Sequence, residues 1–244
     1  MPAESLIATY PRTRPALPHA NNRVYVSEYQ KTRGENKHKP LMSKLSSYVS
    51  GWMHRKVSQF AKPSGAVLEI GAGTLNHLPH EKTHAAYDIV EPFKALYEKN
   101  PALSQIRSVY EDIRQIKVVQ YDRIVSVAAL EHLTELPYAL AKSGLLLKQG
   151  GVFQAGIPAE GGLLWGAAWR LSTGLAYRLH NGISYRPVMR HEHINSASEI
   201  IELTQYFFND VSLAYFPLPA IHASLFIAIT ARGPNLERCN QLAA

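Results

Sequence analysis

The chain has 244 residues, 26 Lys and Arg against 19 Asp and Glu, a formal net charge of +7, 46% apolar residues and 18% charged ones. That is the profile of a folded domain long enough to bury its own core, and it excludes a charge-rich disordered chain. One cysteine, Cys239, excludes a disulfide framework and a thiolate zinc site.

The N-terminus has no apolar run behind a basic start, so no secretory signal is expected and the cytoplasm is the expected compartment. No run of 18 apolar residues occurs, so no transmembrane helix is expected. The charge is lopsided. Residues 1–62 carry eleven Lys and Arg against three Glu, while the remainder is close to neutral. Such an excess suits an anionic partner (phosphate, membrane surface or nucleic acid) or else a solvated arm. With four prolines in the first 23 residues and no period, residues 1–36 are expected to be a loose basic arm.

Over 37–62 the pattern turns helical: Leu41, Leu45, Tyr48, Val49, Trp52, Met53, Val57 and Phe60 recur at three- and four-residue steps. Residues 63–158 then alternate apolar runs with polar or helical stretches. Strands are expected at Ala66–Ile70, Ala86–Val90, Ile106–Tyr110, Arg123–Val127 and Val152–Gly156. Helices are expected from Pro92 toward Asn100 and over Glu135–Leu147. Continuous apolar strands separated by helices signify an α/β domain with a parallel sheet covered on both faces. Residues 159–195 break this rhythm as an insert rich in Gly, aromatics and Arg. Residues 196–244 complete the domain with a helix near Ser196–Phe208 and strands at Val211–Phe216 and Ser224–Ala231.

The chemistry concentrates at Val67-Leu68-Glu69-Ile70-Gly71-Ala72-Gly73. A buried strand running into Gly-x-Gly lets a ligand approach the backbone closely. Asn76 stands where a dinucleotide site would have its third glycine, and Glu69 is unhelpful to a pyrophosphate but suits a ligand bearing positive charge. Twenty residues after Gly71, Glu91 ends the second strand, where an acid can accept both hydrogen bonds of a ribose diol. Asp88 is expected to be a solvated edge acid and Asp122 a structural cap on the fourth strand. His77, His80 and His84 lie at irregular spacing in a polar stretch; they are expected to be exposed, and no metal site is expected.

With these residues the chain resembles the class I S-adenosylmethionine-dependent methyltransferases over about 64–157, with a weaker tail to 232. Glu69-Ile70-Gly71-Ala72-Gly73 looks like the family's E/D-x-G-x-G motif, and Tyr87-Asp88-Ile89-Val90-Glu91-Pro92 its second-strand motif. Tyr121-Asp122-Arg123-Ile124-Val125-Ser126 followed by Leu130-Glu131-His132-Leu133 resembles the fourth-strand segment of small-molecule members. Lys148-Gln149-Gly150-Gly151 resembles the turn before strand five, with Gln149 where proline is usual. The resemblance implies a Rossmann-like, seven-stranded, mostly parallel sheet with the last strand antiparallel. It implies S-adenosyl-L-methionine as cofactor, held by Glu69, Gly71, Ala72, Gly73 and Glu91. It also implies an acid beside adenine at the end of strand three, Asp112 next to Ile113, with Glu111 as the other candidate.

Transfer from a sulfonium needs alignment above all, and a hydroxyl acceptor also needs a base, whereas an amine needs only to arrive deprotonated. The candidate bases are His132 after strand four and His191 and His193 after the insert, because imidazole titrates near neutrality; Tyr185 is the fallback. The insert carries Leu163, Leu164, Trp165, Trp169, Leu171, Leu175 and Tyr177 with Arg170 and Arg178, which reads as a lid over the acceptor site or as an interfacial helix at a membrane. The expected acceptor is a small molecule, glycan or lipid-linked glycoconjugate, with peripheral membrane association as the accompanying reading. A nucleic-acid methyltransferase is the lesser alternative, because Ser126-Val127-Ala128-Ala129 lacks the prolines of base-amino methyltransferases. A non-catalytic binding protein is the third.

Overall fold

The computed structural model describes residues 2–32, 51–60, 65–81, 85–117 and 119–243. Most of the 37–62 segment expected to be helical therefore lies outside the described residues. Its described end is helical over 51–57, here α3, following α1 (Ala3–Ile7) and α2 (His19–Thr32).

The apolar runs form one seven-stranded sheet in the order β3-β2-β1-β4-β5-β7-β6. The strands are β1 (Ala66–Ile70), β2 (Ala86–Val90), β3 (Ser108–Tyr110), β4 (Tyr121–Val127), β5 (Leu147–Pro158), β6 (Phe208–Pro217) and β7 (Ser224–Pro234). β3, β2, β1, β4 and β5 are parallel, and β7 runs antiparallel between β5 and β6. The expected mostly parallel sheet with one reversed strand is the one observed. The order turns back at β1, so β1 and β4 flank the switch point where ligands of open α/β sheets bind.

One sheet face is covered by α1, α4 (Leu136–Leu146), α8 (Ala197–Phe207) and α9 (Leu236–Ala243), with Leu6, Leu140, Phe153, Ile200 and Phe207 fully enclosed. α8 starts at a capping box between Ser196 and Glu199, a pairing legible in Ser-x-x-Glu. Among the described residues the other face is thinner, with α3 packing Met53 and Val57 against Gly156. The β1–β2 and β2–β3 connections hold 3-10 turns at Leu78–His80, Lys94–Leu96 and Pro101–Gln105, not the helix expected from Pro92. The reason lies at Asn100. Pro101 disfavours helical geometry in the residue before it, and the Asn100 side chain accepts from Ala102 N at 2.9 Å while donating to Thr74 O at 2.7 Å, so the chain restarts there.

A buried polar network fills much of this thinner face. His54 Nδ1 meets His77 Nδ1 at 2.9 Å, His77 Nε2 meets Glu81 at 2.8 Å, and Arg123 reaches Glu81 at 2.9 Å, Gln154 at 3.0 Å and Val57 O at 3.2 Å. His77 is fully buried, against the expectation of exposure, and the half-buried His80 stacks on His54 at 4.7 Å between ring centres; His84 lies outside the described residues. Asp88 corrects in the same direction: it is fully buried and takes hydrogen bonds from Arg107 Nε at 2.8 Å and the Tyr121 hydroxyl at 2.7 Å. Asp122 does act structurally, accepting from Ala66 N at 2.7 Å and Lys148 at 2.8 Å.

The arm is not loose where it is described. Leu6 is buried against α8, the Tyr10 hydroxyl donates to Asn195 at 2.8 Å, and Arg12 grips Glu199 with both nitrogens at 2.6 and 3.1 Å. Arg14 pairs with Glu192 at 3.1 Å, and Asn21 donates to Ser184 O at 2.7 Å. The arm's positive charge thus meets acids of the body itself. The insert comprises α5 (Leu163–Trp169), a π-helical turn (Arg170–Gly174), α6 (Leu175–Asn181) ended by Gly182 at φ +70°, and α7 (Arg186–Glu192). Among the described residues no helix is long and apolar enough to cross a membrane.

The histidine network gives the fold an acid sensitivity. Burial, with His77 and His80 adding, pushes His54 down to about 3 from its ordinary 6.5. The unfolded chain binds a proton there that the folded chain refuses, so stability falls as pH drops from 6.5 toward 3. Burial raises the Glu81 carboxyl, but His77 and Arg123 outweigh that and hold it at about 2, which adds a loss as pH falls from 4.5 toward 2. Urea midpoints measured against pH should therefore decline from 6.5 downward. In His54→Gln the slope between 6.5 and 4.5 should flatten while the loss below 4.5 persists.

Candidate functional site

The C-terminal edges of β1, β2 and β4 meet at one point. After β1, Gly71 (φ +72°) donates its N–H to Val90 O at 2.8 Å, and Gly73 (φ +52°) donates to Glu91 Oε2 at 2.9 Å. Both torsions suit glycine, and a Cβ on Gly71 would overlap the Ala129 side chain, so the close approach of the two loops needs a hydrogen there. Ala72 is buried beneath the turn. The other Glu91 oxygen accepts from Phe93 N at 2.9 Å. Glu91 is 5% exposed, and each of its oxygens, holding one backbone N–H, keeps a lone pair for a ligand hydroxyl.

Glu69 is placed differently from the ligand-facing acid expected. It is 1% exposed and accepts from the Tyr87 hydroxyl at 2.9 Å. Burial holds its carboxyl up at about 7 against the opposing pull of His77 and Tyr87. Asp112 follows β3, the neighbour of β2, and caps the turn Ile113–Gln115 by accepting from Arg114 N at 2.8 Å. Its side chain is 45% exposed and pairs with Arg114 at 3.0 Å, while Ile113 is buried in the core.

The second half of the site hangs on the turn after β4. Ala128 (φ +50°) donates to Gly156 O at 2.8 Å, and Leu130–His132 forms a 3-10 turn. The Glu131 carbonyl accepts from Ile194 N at 2.9 Å and Asn195 N at 3.1 Å, and the Asn195 amide donates to Leu130 O and Leu133 O at 2.9 and 2.8 Å. These bonds bring the segment after the insert onto the turn. His132 and His193 consequently lie edge to face with ring centres 4.9 Å apart, although 60 residues separate them in sequence. His191 does not join them: its Nδ1 donates to Pro15 O at 2.8 Å and its ring meets Tyr25 edge-on at 5.4 Å.

The partners of the two imidazoles set their tautomers. His132 Nδ1 lies 2.7 Å from the Glu192 carbonyl, which can only accept, so Nδ1 carries a hydrogen and Nε2 is the nitrogen that takes up or gives up the second proton. His193 Nδ1 lies 2.8 Å from Glu160 Oε2, which also accepts from Trp165 Nε1 at 2.7 Å. Burial pulls the His132 pKa down, but the Glu192 and Glu131 carboxylates outweigh it and raise it overall. Burial likewise raises Glu192, yet His132, Tyr25 and Arg14 hold it at about 2. Beside His193 lies a cleft of about 460 Å3 walled also by Thr9, Arg12 and Arg190. Glu160, Glu192, Arg12, Arg14, Tyr25 and Asn195 escape a reading of motifs, since each belongs to the site only through a partner far away in the chain.

No family model and no curated protein matches the chain. Solved structures do resemble it. A methyltransferase of Thermotoga maritima, described as S-adenosylmethionine-dependent and a possible histamine N-methyltransferase, superposes with a TM-score of 0.53 at 16% identity, over 87% of this chain and 98% of that one. The N-methyltransferase NodS of Bradyrhizobium japonicum, in complex with S-adenosyl-L-homocysteine, gives 0.53 at 15% identity, over 86% and 98%. DhpI, also complexed with S-adenosylhomocysteine, gives 0.55 at 14% identity, over 95% and 98%.

Asn195 is 1% exposed and joins the arm, the β4 turn and the segment after the insert. Asn195→Ala removes the donor to the Leu130 and Leu133 carbonyls and the acceptor of the Tyr10 hydroxyl. It should lower unfolding stability by about 2–4 kcal/mol in urea titrations, more than an exposed Asn→Ala change.

Proposed function

We propose that this chain, which has the fold of the class I S-adenosylmethionine-dependent methyltransferases, binds S-adenosylmethionine at the Gly71–Gly73 turn and transfers its methyl group to a hydroxyl-bearing acceptor. The observation that carries the reading is the meeting, at one sheet edge, of a glycine turn clamped to a buried carboxylate with two imidazoles, each held through Nδ1. Glu91 receives the ribose hydroxyls, and the open face of Gly73, where a Cβ would meet nothing within 4 Å, admits the amino-acid part of the cofactor. The acceptor oxygen attacks the methyl carbon as the carbon–sulfur bond breaks and sulfur leaves as a neutral thioether. The hydroxyl proton is shed at the face made by Glu131, His132 and His193. An amine acceptor would need no such face, which is why the hydroxyl is favoured.

Isothermal titration should detect S-adenosylhomocysteine binding to the wild type. Glu91→Gln should weaken it about 10- to 100-fold, because a side-chain amide cannot accept from both Gly73 N and Phe93 N and loses the charge-assisted bonds to the diol. Unchanged affinity in this variant, or tighter binding of NADH than of S-adenosylhomocysteine, would overturn the cofactor assignment.

The insert supports a glycan or lipid-linked acceptor met at an anionic surface. Between Glu160 and Glu192 it contains no acid, while Arg170, Arg178, Arg186 and Arg190 are present. Leu163, Leu171 and Leu179 stand about three-quarters exposed on its surface. Apolar side chains among cations suit an interface carrying anionic headgroups. Wild-type protein should sediment with vesicles containing phosphatidylglycerol, and Leu171→Glu with Leu179→Glu should release it without changing S-adenosylhomocysteine affinity. Equal sedimentation of wild type and double variant would remove the membrane from the proposal.

A further inference from the structure

Glu131, His132 and His193 each offer a ligand atom, and these atoms lie within 4.8 Å of one another. We propose that the three side chains form a divalent-cation site of the transition-metal type, facing the acceptor and acting as the Lewis acid of the methyl transfer. The role in catalysis rests on the methyltransferase reading above; the binding of the cation does not.

Three features beyond proximity point to an ion. The first is the state of the imidazoles. Both are held through Nδ1, one by a backbone carbonyl and one by a carboxylate, which leaves both Nε2 lone pairs available. A ligating histidine is commonly oriented in this way, its second nitrogen donating to a carbonyl or carboxylate. The second is Glu131. Its side chain is 2% exposed, its Oε1 lies 3.8 Å from His132 Nε2, and its Oε2 is buried without a hydrogen-bond partner. A buried carboxylate oxygen left without a partner is costly, and a cation between it and the imidazoles removes that cost. The third is rigidity. Glu131 and His132 lie on a turn pinned by Asn195, and His193 is fixed by Glu160 and by Trp165, whose ring stacks at 6.3 Å.

The donor set selects the ion class. Two imidazoles and a carboxylate suit Zn2+, Mn2+ or Fe2+; Ca2+ and Mg2+ prefer oxygen alone, and no thiolate is present to select a softer ion. Three protein ligands leave coordination positions open, the arrangement of a catalytic rather than a structural site. Ligand bonds of about 2.0–2.2 Å require the three side chains to draw together slightly. An acceptor hydroxyl taking an open position becomes more acidic and gives its proton to water. The resulting alkoxide oxygen then donates its electron pair to the methyl carbon, and the departing sulfur keeps the pair of the broken bond. With a cation seated, the Nε2 lone pairs serve as ligands and the proton leaves by this route.

The test is titration of chelator-stripped full-length protein with MnCl2 and, separately, ZnCl2, with S-adenosylhomocysteine binding and thermal melting measured on every variant. Wild type should take up one ion, and the bound Mn2+ should show nitrogen hyperfine coupling from imidazole. His193→Ala and the isosteric Glu131→Gln should each weaken uptake at least 100-fold. Glu160→Gln should weaken it about 10- to 100-fold by releasing the His193 ring. All three should keep the wild-type affinity for S-adenosylhomocysteine. Failure of folded wild type to bind either ion below about 1 mM, or binding that survives in folded His193→Ala and Glu131→Gln alike, would overturn the site. Ion binding as described without S-adenosylhomocysteine binding would instead keep the cation site and remove the methyltransferase reading.

Discussion

The site depends on the pairing of backbone groups in the turn that leaves β4. Between Ala128 and Leu133 the chain is largely buried, where its polar groups need protein partners. Those partners come from three directions: Gly156 at the end of β5, the Ile194–Asn195 segment after the insert, and, through Asn195, Tyr10 of the arm. On its other side the same turn packs Ala129 against Gly71. One short stretch therefore sets both how near the glycine turn comes and where the imidazoles stand. A change in the backbone pairing of this turn moves the cofactor and acceptor sides together, because they share a wall rather than communicating through one.

Electrostatics explains why the arm docks. Glu192 and Glu199 are partly buried beside the acceptor side, and a carboxylate in such a place needs hydrogen bonds or a cation. Arg12 and Arg14 supply both, forming paired contacts that a planar guanidinium makes well. The positive charge that reads in sequence as a lure for an external anion is in part consumed inside the molecule. Arg170, Arg178, Arg186 and Arg190 of the insert are a separate set of exposed cations, in a stretch that contains no acid.

The thin face of the sheet shows another solution to the same problem. Among the described residues, 3-10 turns stand in place of full helices in the connections beside β1 and β2. Interior histidines, the Glu81–Arg123 pair and Gln154 occupy part of the space. A buried pair of this kind contributes little net stability but is damaging to break, since one partner then stays buried alone. The face holds its shape through mutual hydrogen bonding, and it is correspondingly sensitive to acid.

The sequence by itself determined what depends on short range. Apolar runs marked all seven strands, and Glu69-Ile70-Gly71-Ala72-Gly73 marked the close-approach turn, because periodicity and positive φ are properties of adjacent residues. Glu91 was legible too, since a strand end at a set distance from the glycine turn is nearly local in two parallel strands joined by a short crossover. Tertiary structure alone decided the rest. His77 and Asp88 read as exposed because polar residues in a polar context usually are, and only the arrival of His54, Arg107 and Tyr121 from elsewhere makes their burial tolerable. His132, His191 and His193 were all candidates on paper. Which of them face each other depends on how α7 ends and which carbonyls it meets, and that is settled by contacts between segments 60 or more residues apart, which no local pattern encodes.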